Sequence, residues 1–263
     1  MNIIRAAMIG DVVGQAGLEA LETQLPELVK KHQIDFITVN GENAADGFGM
    51  TESDFRRIIA AGADVVTSGN HIWEKREFMT ILETEKNILR PANYPESQTL
   101  SGNGFTCIEK NNINWIVINL QGRELMSPID CPFLCFDRII KTTAEISPSP
   151  IILIDFHAES SREKEAFGFY VDGRAALISG THTHVQTADE RLLPLGSAYI
   201  TDLGMTGNID SVIGMNPAIC LERAQKQVMY QMEPAPAKGL ERVQGVIAEI
   251  DADTGKAISI KRI

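Results

Sequence analysis

The sequence predicts a layered α/β sandwich with a mostly parallel sheet region. Three observations predict this class: apolar runs of strand length alternate with segments of helical periodicity, several of those runs end in polar residues, and 263 residues can bury a sizeable core. The chain contains no internal repeat, low-complexity tract or composition break. We therefore expect a single domain over residues 1–263.

The first third of the chain carries the clearest alternation. Strands are predicted at residues 3–10, 35–39 and 63–67. A loop through Gly14 and Gly17 precedes a helix over Leu18–His32, in which Pro26 predicts either a kink or a restart. Thr51 is expected to begin a second helix, because the spacing of Thr51 and Asp54 is that of a helix N-terminus.

Beyond the first third of the chain, the sequence pattern predicts further strands and helices and two hairpins. The hairpins are expected at residues 104–109 with 114–119, and at residues 243–251 with 257–263. Strands are predicted at residues 149–155, 175–179 and 197–201. Helices are predicted at residues 133–146, 160–170 and 217–227. Residues 87–104 are expected to form a loop.

Composition and charge restrict the class of protein. The net charge of −11 disfavours an extended nucleic-acid surface, because such a surface must neutralise phosphates. No apolar run approaches the roughly 20 residues of a membrane span, and the N-terminus lacks the apolar core of a secretory signal. The four cysteines are too few and too scattered for a disulfide framework. We therefore expect a cytoplasmic protein with reduced thiols.

Histidines are concentrated in short motifs that follow apolar strands. The chain has five histidines, and four of them, His71, His157, His182 and His184, lie beside Asp, Glu or Asn at predicted strand ends. The fifth, His32, is expected on a solvated helix surface beside two lysines. Candidate metal ligands at these strand ends are Asp11, Glu42, Asn43, Asn70, His157, His182 and His184.

This mixture of ligand types indicates a two-metal hydrolase. Carboxylate, amide and imidazole ligands together suit Fe, Mn or Zn better than Ca or Mg. Glu42 has two oxygens and could bridge two cations. Two metals about 3.5–4 Å apart lower the pKa of a bridging water and stabilise an in-line displacement. His71 follows Asn70 directly, so we expect it at the rim of the centre as a general acid rather than as a ligand.

Each motif also has a structural interpretation. A single histidine after a strand is usually hydrogen-bonded within the fold, and Asn40-Gly41 is also a hairpin turn dipeptide. Glu159 is either a partner that orients the His157 imidazole or a surface charge. The aromatic residues Phe167, Phe169 and Tyr170 are expected in the core or at an oligomer contact. It is the combination of motifs that favours a metal centre.

The motifs resemble those of the calcineurin-like metallophosphoesterases, and longer strings resemble their YmdB-type bacterial branch over essentially the whole chain. The superfamily motifs are Gly10-Asp11, Asn40–Asn43, Gly69–His71, His157 and Gly180–His184. The branch strings are Gly41–Ala45, Gly69–His71, Leu89–Asn93, Asn119–Gly122, Asp155–Glu159, Gly180–Thr187 and Thr201–Gly207.

This resemblance implies a four-layer α/β/β/α sandwich with a di-iron or di-manganese centre. Residue by residue, it implies one metal on Asp11, Glu42, Asn43 and His184, and a second on Glu42, Asn70, His157 and His182. It also implies that His71 donates a proton. The sequence departs from the superfamily after Asp11, where Val12-Val13 replaces the usual Asp-x-His. The first metal site therefore lacks one imidazole, and Asn43 is expected to take its place.

The resemblance also implies phosphodiesterase activity, with 2′,3′-cyclic nucleotides as the favoured substrate class. We expect in-line attack by a metal-bridging hydroxide on a small phosphodiester, in a homo-oligomer. The alternative is a regulator that binds a nucleotide or an RNA end and whose role does not depend on turnover. An amidohydrolase with its His-x-His pair on the first strand fits poorly, because the pair occurs here at residue 182.

Overall fold

The computed structural model describes residues 2–95, 100–144 and 149–263, which form a mixed α/β structure. The six α-helices in these ranges are α1 (Gly14–His32), α2 (Glu52–Ala60), α3 (Met79–Thr84), α4 (Pro132–Ala144), α5 (Ser161–Val171) and α6 (Pro217–Lys226). The strands are β1 (Ile3–Ile9), β2 (Asp11–Val12), β3 (Phe36–Asn40), β4 (Val65–Thr67), β5 (Phe105–Lys110), β6 (Ile113–Gln121), β7 (Ile151–His157), β8 (Leu177–Thr181), β9 (Arg191–Leu192), β10 (Ala198–Ile200), β11 (Met205–Asn208), β12 (Glu241–Arg242), β13 (Gly245–Asp251) and β14 (Lys256–Arg262).

The fold is built on two large β-sheets. The first has the strand order β14-β13-β1-β3-β4, and the second has the order β5-β6-β7-β8-β10-β9. The central pairs are parallel: β1 with β3, β3 with β4, β6 with β7, β7 with β8, and β8 with β10. The hairpins β5–β6 and β13–β14 add antiparallel edges. A small third sheet joins β12, β11 and β2.

The alternation of side chains along the strands gives three large apolar cores in the described residues, and a small fourth cluster contains Val13, Met205 and Met215. Ala7 and Ile9 of β1 face the core that includes α1 and α2, whereas Ala6 and Met8 face the core between the two sheets. In the second sheet, alternate residues of β6 and β7 face either the other sheet or the core formed with α4 and α5. Because strand side chains alternate between faces, this arrangement stacks helices, sheet, sheet and helices. The predicted α/β sandwich is confirmed.

Most predicted elements occur close to their expected bounds. The capping box of α2 is formed: the Thr51 hydroxyl accepts a hydrogen bond from the Asp54 amide, and the Asp54 carboxylate accepts one from the Thr51 amide. Both predicted hairpins are present. Strands β7 and β8 continue two residues beyond their predicted ends, because their polar last residues are buried and still paired. Residues 96–99 of the predicted loop, and residues 145–146 of the predicted helix, lie outside the described residues.

The predicted loop at residues 14–17 is wrong. Helix α1 begins at Gly14 and continues through Pro26 to His32 without a restart. A Cβ atom on Gly17 would lie 2.4 Å from the Thr206 carbonyl oxygen, so the glycine allows the helix to pack closely on β11. Glycine in this stretch therefore serves helix packing rather than a turn.

Several short elements were not predicted from the sequence, namely α3 and the strands β2, β9, β11 and β12. Their pairing depends on distant partners, as in the parallel bridge of Met205 with Asp11. None of the helices in the described ranges is long and apolar enough to cross a membrane.

Candidate metal centre

Polar side chains from both large sheets meet at the carboxyl ends of the parallel strands. Strands β1 and β3 lead into Asp11 and Glu42, while β7 ends at His157. Strand β8 ends at Thr181, which is paired in register with His157 and is followed by His182. The carboxyl ends of parallel strands lie at one edge of a sheet, and here the edges of two sheets face each other.

Three buried side chains form the tightest group of potential metal ligands in the described part of the chain. Ligand atoms of Asp11, Glu42 and His157 all lie within 4.8 Å of one another. Glu42 Oε2 is 2.7 Å from His157 Nε2, and Asp11 Oδ1 is 3.8 Å from His157 Nδ1. Opposite charges attract Glu42 and His157 when His157 is protonated. The residue types and spacing suit a divalent cation.

Three other predicted ligands converge on the Nε2 atom of His157. Besides Glu42 Oε2, it is 3.2 Å from Asn70 Oδ1 and 3.0 Å from His182 Nδ1. Ligand atoms that share a transition metal at about 2.0–2.2 Å are necessarily separated by distances of this order. The donor set of one oxygen from Glu42, one from Asn70 and two imidazole nitrogens therefore fits a single cation.

Three buried oxygens around this centre have no hydrogen-bond partner in the described structure. They are Asp11 Oδ1, Glu42 Oε2 and Asn43 Oδ1. The second oxygen of each carboxylate is satisfied, because Asp11 Oδ2 accepts from the His182 amide and Glu42 Oε1 accepts from the His71 amide. A buried oxygen without a donor is costly and calls for an ion or a water. The side-chain amide of Asn43 donates to the Gly47 carbonyl, which leaves its oxygen available.

Hydrogen bonds to the remaining ring nitrogen determine the tautomer of His157. The Thr181 hydroxyl lies 2.9 Å from His157 Nδ1 and donates its proton to Asp155 Oδ1 at 2.7 Å. The hydroxyl must therefore accept a hydrogen bond from Nδ1–H, and Nε2 is directed into the centre. Asp155 also accepts hydrogen bonds from Asn40 and Thr67, so one buried carboxylate connects the two sheets beneath the centre.

The other two histidines of the cluster are oriented in the same way. His182 Nε2 is 3.2 Å from Glu159 Oε2, which leaves Nδ1 to face His157. Of the two interpretations of Glu159, a partner that orients His157 or a surface charge, the first does not apply: Glu159 is 46% exposed and contacts His182 instead. His184 Nδ1 lies 2.8 Å from the Ile213 carbonyl oxygen, and a carbonyl can only accept, so Nε2 of His184 remains free.

His184 and Asn43 lie outside the tightest group but near it. His184 is close enough that its charge lowers the pKa of Asp11. Asn43 forms a bridge with Val13, two residues from Asp11. The two are therefore on the Asp11 side of the centre, whereas Asn70 and His182 are on the His157 side.

Burial and the neighbouring charges act in opposite directions on the pKa values at the centre, and burial prevails only for Asp11 among the three clustered residues. Burial raises the pKa of Asp11 to about 6, against a smaller lowering by His184 and His157. Burial acts to raise the pKa of Glu42 as well, but the positive charge of His157 lowers it to about 2. Burial alone would lower the pKa of His157, and Glu42 raises it to about 9. In the metal-free protein a proton on His157 therefore balances the carboxylates, and a cation would replace that proton.

His71 lies at the rim, as its position after Asn70 predicted. Its backbone amide holds Glu42, while its Nδ1 atom is 3.2 Å from Glu74 Oε1. The Phe48 ring packs edge-on against the imidazole with 5.1 Å between ring centroids. His71 is half-buried, so its Nε2 atom can reach a bound molecule. The three residues Asn70, His71 and Glu74 all come from the turn after β4.

Close packing of the two sheets requires glycine at position 69. A Cβ atom there would lie 1.9 Å from Glu42 Oε2 and 2.2 Å from His157 Nε2. Any side chain at this position would occupy the space in which the ligands converge. The centre therefore requires a residue without a side chain at position 69.

The sequence did not indicate several residues that support the centre. Asn40 holds the Glu42 amide, Asp155 and Thr181 orient His157, and Glu74 orients His71. Asp155 and Thr181 lie inside motifs quoted for their neighbours, which was the only available signal. Asp202 likewise lies inside the quoted string Thr201–Gly207, whereas Lys164 lies in no quoted motif.

The two facing sheets and the buried Asp–Glu–His cluster define an α/β sandwich with a candidate cation-binding centre between its strand ends. The chain matches the family model described as YmdB-like protein over residues 7–263, and it belongs to that family. This membership confirms the resemblance seen in the sequence motifs. The family implies divalent metals, and the cluster of Asp11, Glu42 and His157 fits that implication.

Relatives of known name and structure align with nearly the whole chain. It is 44% identical over 260 residues to the 2′,3′-cyclic-nucleotide 2′-phosphodiesterase of Bacillus subtilis (strain 168), covering 99% of this chain and 96% of the relative. A novel phosphatase from Mycoplasma pneumoniae superposes with a TM-score of 0.91 at 32% identity, covering 100% and 93% of the two chains. A hypothetical protein from Thermus thermophilus superposes with a TM-score of 0.89 at 35% identity, covering 99% and 98%.

Proposed function

We propose that this protein is a dinuclear metal-dependent phosphodiesterase that hydrolyses small diesters, 2′,3′-cyclic nucleotides in particular. The observation that carries this proposal is the convergence of Glu42, Asn70 and His182 on Nε2 of His157 at 2.7–3.2 Å. The name of the Bacillus subtilis relative supports the substrate class. The cation pair would be iron or manganese, with zinc as a third option, because the donors mix oxygen and nitrogen.

The ligands divide into two sets that share Glu42. One set is Glu42, Asn70, His157 and His182, supported by the distances around His157 Nε2. The other is Asp11, Glu42, Asn43 and His184, supported by the unpartnered oxygens of Asp11 and Asn43 and by the free Nε2 of His184. The absence of a second imidazole next to Asp11 gives this set more oxygen character than the other.

When bound, the cations would supply an activated water and stabilise negative charge on the phosphoryl oxygens. The chain itself would supply the proton for the leaving group. Glu74 accepts a hydrogen bond from Nδ1 of His71 and so orients Nε2 of the ring outward. His71 is held beside the centre through its amide bond to Glu42, so it can reach an oxygen that departs from phosphorus.

A cleft beside His71 could receive the nucleoside. It has a volume of about 340 Å³ and is lined in part by Phe48, Lys75 and Met232. Phe48 contacts His71, which places the cleft next to the proposed proton donor. A small anionic diester can enter such a cleft although the net charge of the chain is −11, because cations in the centre would offset the charge locally.

Metal analysis combined with a diester assay tests this function. We expect freshly purified protein to contain iron or manganese and to hydrolyse a 2′,3′-cyclic nucleotide. Chelation should abolish hydrolysis, and manganese should restore it. A protein that hydrolyses the diester equally well after complete metal removal, or one that binds no divalent metal and hydrolyses no diester, would overturn the proposal.

A further inference from the structure

A fully buried lysine lies behind the segment that carries His182 and His184. The Lys164 and Asp202 side chains are each 1% exposed, and Lys164 Nζ is 2.6 Å from Asp202 Oδ2. Lysine is almost never fully buried without a partner. A buried ion pair also contributes little net stability compared with apolar residues of the same volume. The pair therefore requires an explanation other than stability.

Asp202 connects this lysine to the histidine segment. Its Oδ2 atom accepts hydrogen bonds from the Thr183 hydroxyl at 2.8 Å and from the Thr183 amide at 3.2 Å. Its Oδ1 atom accepts one from the Gly204 amide at 2.9 Å. The Gly204 carbonyl in turn accepts a hydrogen bond from the Asp11 amide. The Asp202 carboxylate thus binds the backbone at Thr183, in the histidine segment, and at Gly204, which in turn pairs with Asp11.

The residues on either side of Thr183 have an unusual backbone conformation. His182 has φ of 97° and His184 has φ of 65°, both in the left-handed region that residues other than glycine rarely adopt. Such a conformation is unfavourable and persists only where its surroundings hold it. Thr183 lies between the two and is fixed at both its amide and its hydroxyl. The hydrogen bonds from Thr183 to Asp202 therefore lie between the two residues whose left-handed backbone needs stabilisation.

Gly180 provides the passage through which Lys164 reaches Asp202. A Cβ atom on Gly180 would lie 2.8 Å from Lys164 Cδ and 1.8 Å from the Thr201 carbonyl oxygen. The aliphatic part of Lys164 thus crosses the end of β8 directly before the histidine segment begins. Helix α5 anchors the lysine, because the Lys164 amide donates to the Ser160 carbonyl in the first turn.

We propose that Lys164 and Asp202 are positioning residues for the two histidines. The ion pair holds Thr183, and Thr183 holds His182 and His184 in the left-handed conformations that direct their rings toward the centre. That the positioned histidines bind metal rests on the proposed function. The holding itself can be measured without any metal.

Hydrogen exchange of the metal-free protein tests the holding. Lys164→Met keeps the aliphatic stem over Gly180 and removes the ammonium group. We expect at least about tenfold faster exchange at the Thr183 amide, because local opening no longer breaks an ion pair. Asp172→Asn is the matched control: Asp172 is a buried carboxylate that accepts the Leu195 and Ser197 amides before β10, away from the histidine segment. It should leave exchange at Thr183 unchanged.

Manganese dependence of diester hydrolysis tests the positioning. We expect Lys164→Met to raise the half-saturating manganese concentration by about 10–100-fold, as for other residues that orient metal ligands. Activity should recover at high manganese, since the ligands themselves are intact. Thr183→Val should act in the same direction and Thr183→Ser should restore the wild-type value, because only serine retains the hydroxyl. If Lys164→Met does not fold, the Thr183 pair carries both measurements.

The possible outcomes separate the two proposals. An unchanged exchange rate of the residue 183 amide in a folded Lys164→Met or Thr183→Val protein would show that the ion pair does not hold this segment. Faster exchange with an unchanged manganese dependence overturns the positioning and leaves the phosphodiesterase proposal intact. Wild-type protein that neither binds manganese nor hydrolyses diesters overturns the proposed function and, with it, the positioning, whatever the exchange rates show.

Discussion

Glu42 Oε2 and His157 Nε2 lie 2.7 Å apart although their side chains come from different sheets. Both side chains are 1% exposed, so water does not screen the contact. A positive charge beside the carboxylate offsets the cost of burying it where the two sheets meet. A proton on His157 supplies that charge in the metal-free protein, and a bound cation would supply it in the active one.

The shared position of Glu42 leads to the first prediction. Glu42→Gln replaces a charged oxygen by an amide, which neither bridges two cations nor balances their charge. We expect manganese affinity and turnover to fall by more than about 100-fold, since even supporting residues of metal sites cost 10–100-fold. Isothermal titration with manganese and a cyclic-nucleotide assay measure both. Native turnover in the folded variant would contradict a metal-bridging role, and an intact cellular role without turnover would favour the regulatory alternative.

His71 should matter less for strained substrates than for relaxed ones. We expect His71→Ala to lower kcat for a linear diester by about 10²–10⁴-fold, the usual contribution of a general acid. The loss should be smaller for a 2′,3′-cyclic nucleotide, because opening the strained ring needs less help from a proton donor. Metal content should stay that of the wild type, which serves as the control. Equal losses for both substrates would contradict this ranking, and an unchanged kcat for the linear diester would show that His71 does not act as the acid.

Replacing Gly69 by alanine tests whether the metal centre tolerates one added methyl group. In Gly69→Ala the new Cβ atom would lie 1.9 Å from Glu42 Oε2, so the carboxylate must move away from His157. We expect loss of metal binding and of diester hydrolysis in a folded protein. Gly207→Ala is the matched control, because its Cβ atom would meet nothing closer than 3.6 Å. Metal analysis and circular dichroism of both variants make the comparison; full metal occupancy in Gly69→Ala would contradict this account.

Asp155 should affect both stability and metal affinity. Asp155 accepts three side-chain hydrogen bonds, from Asn40, Thr67 and Thr181. In Asp155→Asn an NH₂ group must face one of these donors. We expect a loss of about 1–3 kcal/mol in the free energy of unfolding, which is the cost of one buried unsatisfied group.

The same variant should weaken manganese binding by about 10–100-fold, because Thr181 would no longer orient His157. Urea unfolding and manganese titration measure the two effects. Asp172→Asn provides the comparison, since it also removes a buried acceptor but lies away from the centre. Equal manganese affinity in the two variants would show that Asp155 contributes to stability alone.

Much of the fold could be predicted because its signals are local. The apolar runs of β3, β7 and β8 and the capping box of α2 are contained within a few residues each, so periodicity and a side-chain cap identify them. The start of α1 was predicted wrongly because the reason for Gly17 is a distant carbonyl, that of Thr206. The short strands β2, β11 and β12 share this property, because each is defined by pairing with a strand distant in sequence.

The residue types at the strand ends can be read from the primary structure alone, because a strand that stops at Asp, Asn or His presents that side chain at the edge of whichever sheet it joins. Which atoms come into contact depends on how the sheets and helices pack. Glu159 faces His182 rather than His157, and Lys164 reaches Asp202 across Gly180, because two sheets and a helix bring together residues far apart in sequence. Such pairings depend on packing between layers, and local sequence contains no record of that packing.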